Sequence, residues 1–267
     1  MCKKYIPADV PTDKHCEFKD NYCAITKCKN RLFIFAADHK MEHLAQDFYG
    51  ANIDDEVKDP EHLFKIASQG KIGAFATHLG LITRYAQNCD YKNINYIIKL
   101  NGKTNLLPKE KYEPVSSQLW QVEDVLRLKE NSGLNICGVG YTIYLGSEHE
   151  NIMLKEAAQI ISQAHQNGLV AILWIYPRGK NIPDPKEGGL TAGAAGIATS
   201  LGADFVKITV PHEEKNQTIA EILNFVQNIA GNTKVICSGG EAINPEQFLK
   251  NIYDQINNGH VHGAAIG

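Results

Sequence analysis

A single lysine lies inside an apolar run of the chain. Lys207 is flanked by Phe205, Val206 and Ile208, and such bulky, mostly β-branched or aromatic residues predict a buried strand. Lysine is rarely buried without a partner, and loss of water disfavours its charged form, so the pKa of Lys207 should fall. A neutral amine attacks carbonyl carbon, which is the first step of Schiff-base chemistry. The alternative is a lysine at a strand end whose amine reaches solvent.

Two further side chains could move the protons that this chemistry requires. Asp38 directly follows the apolar run 32–37, and Tyr176 follows the apolar run 169–175. A carboxyl group and a phenol can both act in general acid–base catalysis. Asp38 could instead cap a turn after its strand, and Tyr176 could instead pack its ring over neighbouring residues.

A third group of residues could bind an anion. Ser238-Gly239-Gly240 follows another apolar run, and glycines allow backbone N–H groups to approach a phosphate closely. The same triplet is equally consistent with a tight turn. Arg178 could bind a second phosphate through two parallel hydrogen bonds, or it could be a solvated loop residue. His43 is a weaker candidate for the site, and its alternative is a surface histidine.

These candidates occupy the same place in a repeating pattern of apolar strands and helical segments. Strands that are apolar throughout are typical of sheets covered by helices on both faces. The sequence predicts eight strands, at 31–37, 72–77, 94–100, 135–142, 169–175, 203–210, 234–238 and 263–267. Eight is the number that closes a (β/α)8 TIM barrel, so we predict a single-domain α/β fold of this type over residues 31–267. A doubly wound open sheet is the alternative.

The two ends of the chain depart from the repeat. Residues 1–30 are polar and predict an N-terminal arm or cap with little regular structure. The sequence ends at Gly267, before the helix that usually follows the eighth strand of such a barrel. Either that helix is absent from this sequence, or the arm takes over its packing.

Reactive side chains concentrate at one end of the predicted strands. They are Asp38, His39, His78, Lys99, Asn101, Tyr141, Thr142, Tyr176, Arg178, Lys207 and Ser238-Gly239-Gly240. Active sites of (β/α)8 barrels form at the carboxyl ends of the strands. We therefore expect these residues on one rim.

Composition and charge exclude several other functions. The chain has 267 residues and a formal net charge of −3, which argues against nucleic acid or an anionic membrane as its main partner. It shows no signal peptide and no apolar run of membrane-spanning length, so a cytoplasmic location is expected. The seven cysteines lack zinc-site spacing and are expected to be free, Cys137 and Cys237 in the core. No dinucleotide fingerprint follows a strand, and no ligand spacing indicates a metal site, so we expect neither a cofactor nor a metal.

Several of these segments together resemble the archaeal-type class I fructose-bisphosphate aldolase family, from about residue 32 to 267. The matching segments are ADHKMEH (37–43), KLNGKT (99–104), VGYTIYLGS (139–147), LWIYPRG (173–179), ADFVKI (203–208) and SGG (238–240).

The resemblance implies a role for each candidate. Lys207 would form the Schiff base with a ketose or dihydroxyacetone phosphate, Tyr176 would transfer protons and Asp38 would assist. The turn 238–240 and Gly267 would bind phosphate. The family is also typically a ring-shaped homo-oligomer that acts on a phosphorylated sugar.

The sequence departs from the family pattern at three places. Lys40 stands where the family usually has glycine, the segment after Lys207 differs, and the phosphate-binding arginine would follow Gly267. The expected function is a metal-independent lyase that cleaves fructose 1,6-bisphosphate to dihydroxyacetone phosphate and glyceraldehyde 3-phosphate. The alternatives are a related aldolase, transaldolase or acyltransferase acting on another phosphorylated ketose, a metal-dependent aldolase, and a non-catalytic sugar-phosphate-binding barrel.

Overall fold

Eight parallel strands close into a barrel. The computed structural model describes residues 6–45, 48–51, 53–106, 113–240 and 243–267. The strands of this part of the chain are β1 (Leu32–Ala36), β2 (Ala74–His78), β3 (Tyr96–Lys99), β4 (Asn101–Gly102), β5 (Ser117–Gln118), β6 (Ile136–Leu145), β7 (Val170–Pro177), β8 (Phe205–Ile208), β9 (Lys234–Ser238) and β10 (Gly263–Ile266). The barrel order is β1-β10-β9-β8-β7-β6-β3-β2, while β4 and β5 form a small antiparallel pair. The predicted (β/α)8 barrel and its eight strands are confirmed.

Helices connect most of the strands. Those in the described residues are α1 (His15–Thr26), α2 (His39–Glu42), α3 (Glu61–Gln69), α4 (Leu79–Tyr85), α5 (Val122–Ser132), α6 (Glu150–Gln166), α7 (Gly188–Leu201), α8 (Ile219–Ala230) and α9 (Pro245–Asn257). The start of α8 is set by Thr218, whose hydroxyl accepts from the Glu221 backbone while the Glu221 carboxylate accepts from the Thr218 backbone. No helix among the residues described here is long and apolar enough to cross a membrane.

The apolar residues of the strands divide between two cores. On β7, Ile172 and Trp174 belong to a cluster that fills the barrel, whereas Leu173 and Ile175 belong to the larger cluster between the barrel and its helices. All four side chains are at most 1% exposed. Burial on both faces explains why the strand sequences are apolar throughout rather than alternating.

The prediction of an N-terminal arm with little regular structure is wrong, because α1 is a twelve-residue helix. Phe18 and Ile25, seven positions apart on this helix, are buried in the cluster inside the barrel. The ring of Tyr22 stacks on Phe205 of β8, with 5.4 Å between centroids. Burial of this apolar stripe at the amino-terminal end of the barrel stabilises a helix whose other positions are mostly polar.

The prediction that all cysteines are free is also wrong. Cys23 in α1 and Cys28 just after it form a disulfide, with their Cα atoms 4.4 Å apart. The left-handed conformation of Lys27, at φ 50°, turns the chain back so that the two side chains meet. Cys137 and Cys237 are free and fully buried, as predicted.

Two carboxylates hold a buried histidine at the amino-terminal end of the barrel. Nδ1 of His165 lies 2.9 Å from both carboxylate oxygens of Asp9, and its Nε2 lies 3.2 Å from Oδ2 of Asp204. Burial by itself would lower the pKa of His165, but hydrogen bonds to Asp204 and Asp9 and their charges raise it to about 9. The charged imidazole thus joins the N-terminal segment to the start of β8.

This histidine should make stability depend on alkaline pH. Its pKa rises from 6.5 to about 9 on folding, so its contribution is complete below pH 6.5 and is lost as pH rises toward 9. Relative to His165→Gln, we expect the wild-type free energy of unfolding to fall by on the order of 3 kcal/mol between about pH 6 and about pH 10. Urea denaturation followed by circular dichroism measures it, and parallel pH profiles of the two proteins would contradict the assignment.

Candidate active site

The barrel register places three candidate side chains at one level of the rim. Thr142 of β6 pairs with Trp174 of β7, and Trp174 pairs with Lys207 of β8. Directly paired residues of parallel strands point to the same side of the sheet. Trp174 belongs to the cluster inside the barrel, so all three side chains face the interior.

Lys207 lies inside the barrel mouth with an unengaged amine. The residue is 8% exposed, and its Nζ lies 5.8 Å from the ring centroid of Trp174. Within the part of the chain that the structure describes, this amine makes no hydrogen bond or ion pair. Burial lowers the pKa of Lys207, although the carboxylates of Asp38 and Glu42 oppose the change. The amine is therefore available to attack a carbonyl carbon.

A second buried lysine lies beside it, and its amine is engaged. Nζ of Lys99, at the end of β3, donates to the Thr142 hydroxyl at 2.5 Å, lies 3.8 Å from Oδ2 of Asp38 and sits 4.4 Å from the Trp174 ring centroid. Burial lowers the pKa of Lys99 to about 8, helped by the charge of Lys207 and opposed by Asp38. The two amines thus differ, since Lys99 is held in place whereas Lys207 is not.

A glycine makes room for these large side chains. Gly140 of β6 pairs with Lys99. A Cβ atom at position 140 would lie 2.5 Å from Cζ3 of Trp174 and 3.0 Å from Cδ of Lys99. The indole and the lysine stem occupy the space that any other residue at this position would need.

Asp38 presents a carboxylate to both lysines. It precedes α2, but its side chain makes no capping hydrogen bond, so the alternative reading of Asp38 as a cap is wrong. Burial alone would raise its pKa, yet the charges of Lys99 and Lys207 outweigh burial and lower it. Asp38 is therefore held as a carboxylate that can accept a proton.

Tyr176 presents a protonated phenol. Burial raises its pKa strongly, and the charges of Asp38 and Glu42 raise it further. Its ring is stacked on Tyr144, with 6.4 Å between centroids, and Cζ of Arg178 lies 5.1 Å from the Tyr176 ring centroid. The structure thus brings Lys207, Asp38 and Tyr176 to one mouth, where the charge of Asp38 raises the pKa of Tyr176 and opposes the lowering of the pKa of Lys207.

The candidate phosphate-binding residues follow β9 and β10 on the same rim. The N–H of Gly239 donates to the Ala265 carbonyl at 3.2 Å, so this N–H joins β9 to β10. Gly240 has φ 75°, which favours glycine, and Ser238 ends β9. A Cβ atom on Gly267 would lie 3.1 Å from Cε1 of His39. Phosphate binding by these residues stays a prediction.

His43 directly follows α2. Its ring packs edge-on against His39, with 5.8 Å between ring centroids. A role of His43 in binding substrate stays a prediction.

Lys99 was expected on the rim but was given no role, although it carries the same signal as Lys207, a lysine at the end of an apolar strand. Glu42, Tyr144 and Trp174 carried no such signal, because only the closed barrel brings β1, β6 and β7 around one cavity. No three His, Cys, Asp or Glu side chains in the described ranges converge as a set that could hold a metal ion.

The protein is a closed parallel barrel that carries a buried lysine, the candidate nucleophile Lys207, at the carboxyl ends of its strands. A family model described as DeoC/LacD family aldolase matches residues 32–267. The chain belongs to this family, and it is therefore a lyase.

Individual relatives agree with this assignment. A Methanocaldococcus jannaschii protein named fructose-bisphosphate aldolase/6-deoxy-5-ketofructose 1-phosphate synthase is 51% identical over 262 residues, which are 98% of this chain and 82% of the relative. The structure of a fructose-bisphosphate aldolase from Slackia heliotrinireducens is 47% identical with a TM-score of 0.95, covering 98% of this chain and 82% of that one. A structure described as a Schiff base forming fructose-1,6-bisphosphate aldolase is 29% identical with a TM-score of 0.78, covering 94% of this chain and 91% of that one.

The charge of Asp38 should govern the reactivity of Lys207. The carboxylate raises the pKa of Lys207 against the effect of burial, so Asp38→Asn should lower that pKa further. We expect the pH midpoint of reductive labelling of Lys207 by a small carbonyl reagent to move down by about one unit. Peptide mass spectrometry measures the labelling. Asp13→Asn, which changes an exposed carboxylate of the N-terminal segment, is the matched control. An unchanged or higher midpoint in Asp38→Asn would contradict the electrostatic coupling.

Proposed function

We propose that this protein is a class I aldolase that cleaves fructose 1,6-bisphosphate to dihydroxyacetone phosphate and glyceraldehyde 3-phosphate through a Schiff base on Lys207. The observation that carries the proposal is the buried amine of Lys207, which has no hydrogen-bond partner in the described residues and lies in the same mouth as Asp38 and Tyr176. The names of the M. jannaschii and S. heliotrinireducens relatives support the choice of substrate.

The reaction begins with the neutral amine. Nζ of Lys207 attacks the ketose C2 carbonyl, and the resulting carbinolamine loses water to give an iminium ion. When the C3–C4 bond breaks, its electron pair moves into the iminium group to give an enamine, and the C4 hydroxyl loses its proton as the aldehyde forms. Protonation of the enamine at C3 and hydrolysis release dihydroxyacetone phosphate and restore the amine.

Two side chains are suited to the proton transfers. Asp38, kept ionised by Lys99 and Lys207, can accept a proton. Tyr176, kept protonated by burial, can donate one when the carbinolamine hydroxyl leaves as water. Lys99 stays hydrogen-bonded to Thr142 and maintains the charge of Asp38.

The remaining assignments complete the proposal. The turn 238–240 and Gly267 bind the C1 phosphate at the ends of β9 and β10, Arg178 binds at the other end of the substrate, and His43 is a further substrate-binding residue. The active form is a ring-shaped homo-oligomer, as the family resemblance implies, and it acts in the cytoplasm.

A second activity is favoured by one observation. The M. jannaschii relative is named also as a 6-deoxy-5-ketofructose 1-phosphate synthase. The same enamine could be captured by a different aldehyde before it is protonated, which would transfer the three-carbon unit to that aldehyde. We propose this transfer as the second candidate reaction, with the same lysine.

Loss of the nucleophile should abolish the covalent intermediate. We expect Lys207→Ala to form no borohydride-trapped adduct with dihydroxyacetone phosphate, and its turnover of fructose 1,6-bisphosphate to fall about ten-thousandfold or more. Intact-protein mass spectrometry and a coupled assay measure the two effects, with Lys250→Ala on the exposed face of α9 as the control. Wild-type turnover in Lys207→Ala would exclude the proposal.

Loss of the phenol should separate binding from chemistry. Tyr176→Phe keeps the ring but removes the proton donor, so we expect kcat to fall by roughly 100-fold or more while a trappable adduct on Lys207 remains. Steady-state kinetics with borohydride trapping measure both, and Tyr253→Phe, an exposed tyrosine of α9, is the matched control. If Tyr176→Phe turned over at the wild-type rate, Tyr176 would not be the acid.

A further inference from the structure

A carboxylate and a guanidinium share one aromatic side chain at the mouth of the barrel. The Tyr144 hydroxyl donates to Oε1 of Glu42 across a long hydrogen bond of 3.4 Å. Cζ of Arg178 lies 5.5 Å from the ring centroid of Tyr144. Tyr144 is fully buried and lies between the two charged groups and the barrel wall to which it belongs. We call Glu42, Tyr144 and Arg178 the mouth cluster.

Two members of the mouth cluster, Tyr144 and Arg178, lie on the side of Lys207 opposite the candidate phosphate turn. Around the barrel, β9 and β10 lie on one side of β8, and β7 and β6 lie on the other. Ser238 and Gly267 follow the first pair of strands, whereas Arg178 and Tyr144 belong to the second. A ketose with C2 at Lys207 and its C1 phosphate toward β9 and β10 must extend its aldehyde half toward the mouth cluster.

Glu42 approaches this cluster from the other side of the mouth. It ends α2, which follows β1, and its backbone carbonyl accepts from the N–H of Asn105 at 2.9 Å. Its negative charge raises the pKa of Lys207 and of Tyr176, so its field reaches through the cavity. A carboxylate placed there repels a phosphate that Arg178 would otherwise attract.

We propose that Glu42 determines which aldehyde half of the substrate the enzyme accepts. Its carboxylate lowers the preference for ketoses with a second phosphate, so that ketose 1-phosphates without one are also used as substrates. Arg178 favours a terminal phosphate, and Glu42 offsets that preference from the other side of Tyr144. The inference rests on the proposed function, since it assigns one end of the same substrate to named residues.

Two substrates that differ only at this end test the assignment. Fructose 1,6-bisphosphate and fructose 1-phosphate share the reacting carbons and the C1 phosphate. Both use the Lys207 amine, so any effect of a mutation on that amine cancels in the ratio of their kcat/KM values. We expect Glu42→Gln to raise the ratio of kcat/KM for the bisphosphate to kcat/KM for the monophosphate by about tenfold. The rise should be smaller at high salt, because the mouth is partly exposed and salt screens the charge.

Matched variants separate charge from packing. Glu42→Asp keeps the carboxylate, and we expect its ratio to stay within about twofold of wild type. Glu130→Gln changes an exposed glutamate of α5 and should leave the ratio unchanged. A Glu42→Gln ratio equal to or below that of wild type, or an equal rise in Glu42→Asp, would overturn the inference.

Borohydride trapping with dihydroxyacetone phosphate distinguishes failure of the Glu42 role from failure of the proposed Schiff-base function. An adduct on Lys207 in wild type and Glu42→Gln, with an unchanged ratio, would overturn the role of Glu42 and leave the proposed function standing. No adduct and no turnover of either ketose in the wild type would overturn both.

Discussion

The site depends on two lysine amines and one carboxylate that are buried together at the mouth of the barrel. Burial disfavours the charged form of each group, while attraction between opposite charges favours it. For Lys99 and Lys207 burial has the larger effect and their pKa values fall. For Asp38 the two nearby positive charges have the larger effect and its pKa falls as well. The result is a stable carboxylate beside amines that lose their protons easily, which is the combination that carbinolamine formation needs.

The barrel makes this arrangement rigid. The side-chain amide of Asn101 donates to the Thr142 carbonyl and accepts from the Thr142 N–H, both at 2.8 Å, and so fixes the residue that receives the Lys99 amine. Gly140 leaves the space into which Lys99 and Trp174 pack. Lys99, Asn101, Thr142 and Trp174 are each at most 3% exposed, so close packing holds the engaged lysine in one place.

The opposite end of the barrel is closed by different means. Helix α1 places Phe18 and Ile25 in the interior cluster, and His165 joins Asp9 to Asp204 with an ionised imidazole. The candidate catalytic groups and the stabilising groups are thus separated along the barrel axis. This separation lets the carboxyl rim hold buried charges while the amino-terminal end is packed and paired.

Local patterns in the sequence were sufficient for the barrel, since the apolar runs of its eight strands indicate burial on both faces, and a lysine within such a run marked Lys207. They also marked Asp38 and Tyr176, because strand ends can be read one at a time. They did not reveal α1, whose few apolar residues are buried only because the barrel offers them an open end. Nor did they show that Lys99, rather than Lys207, is hydrogen-bonded to Thr142. They also did not show that Tyr144 donates a hydrogen bond to Glu42, which lies 102 positions away in the chain. Those contacts join distant strands, and only closure of the sheet decides which of them exist.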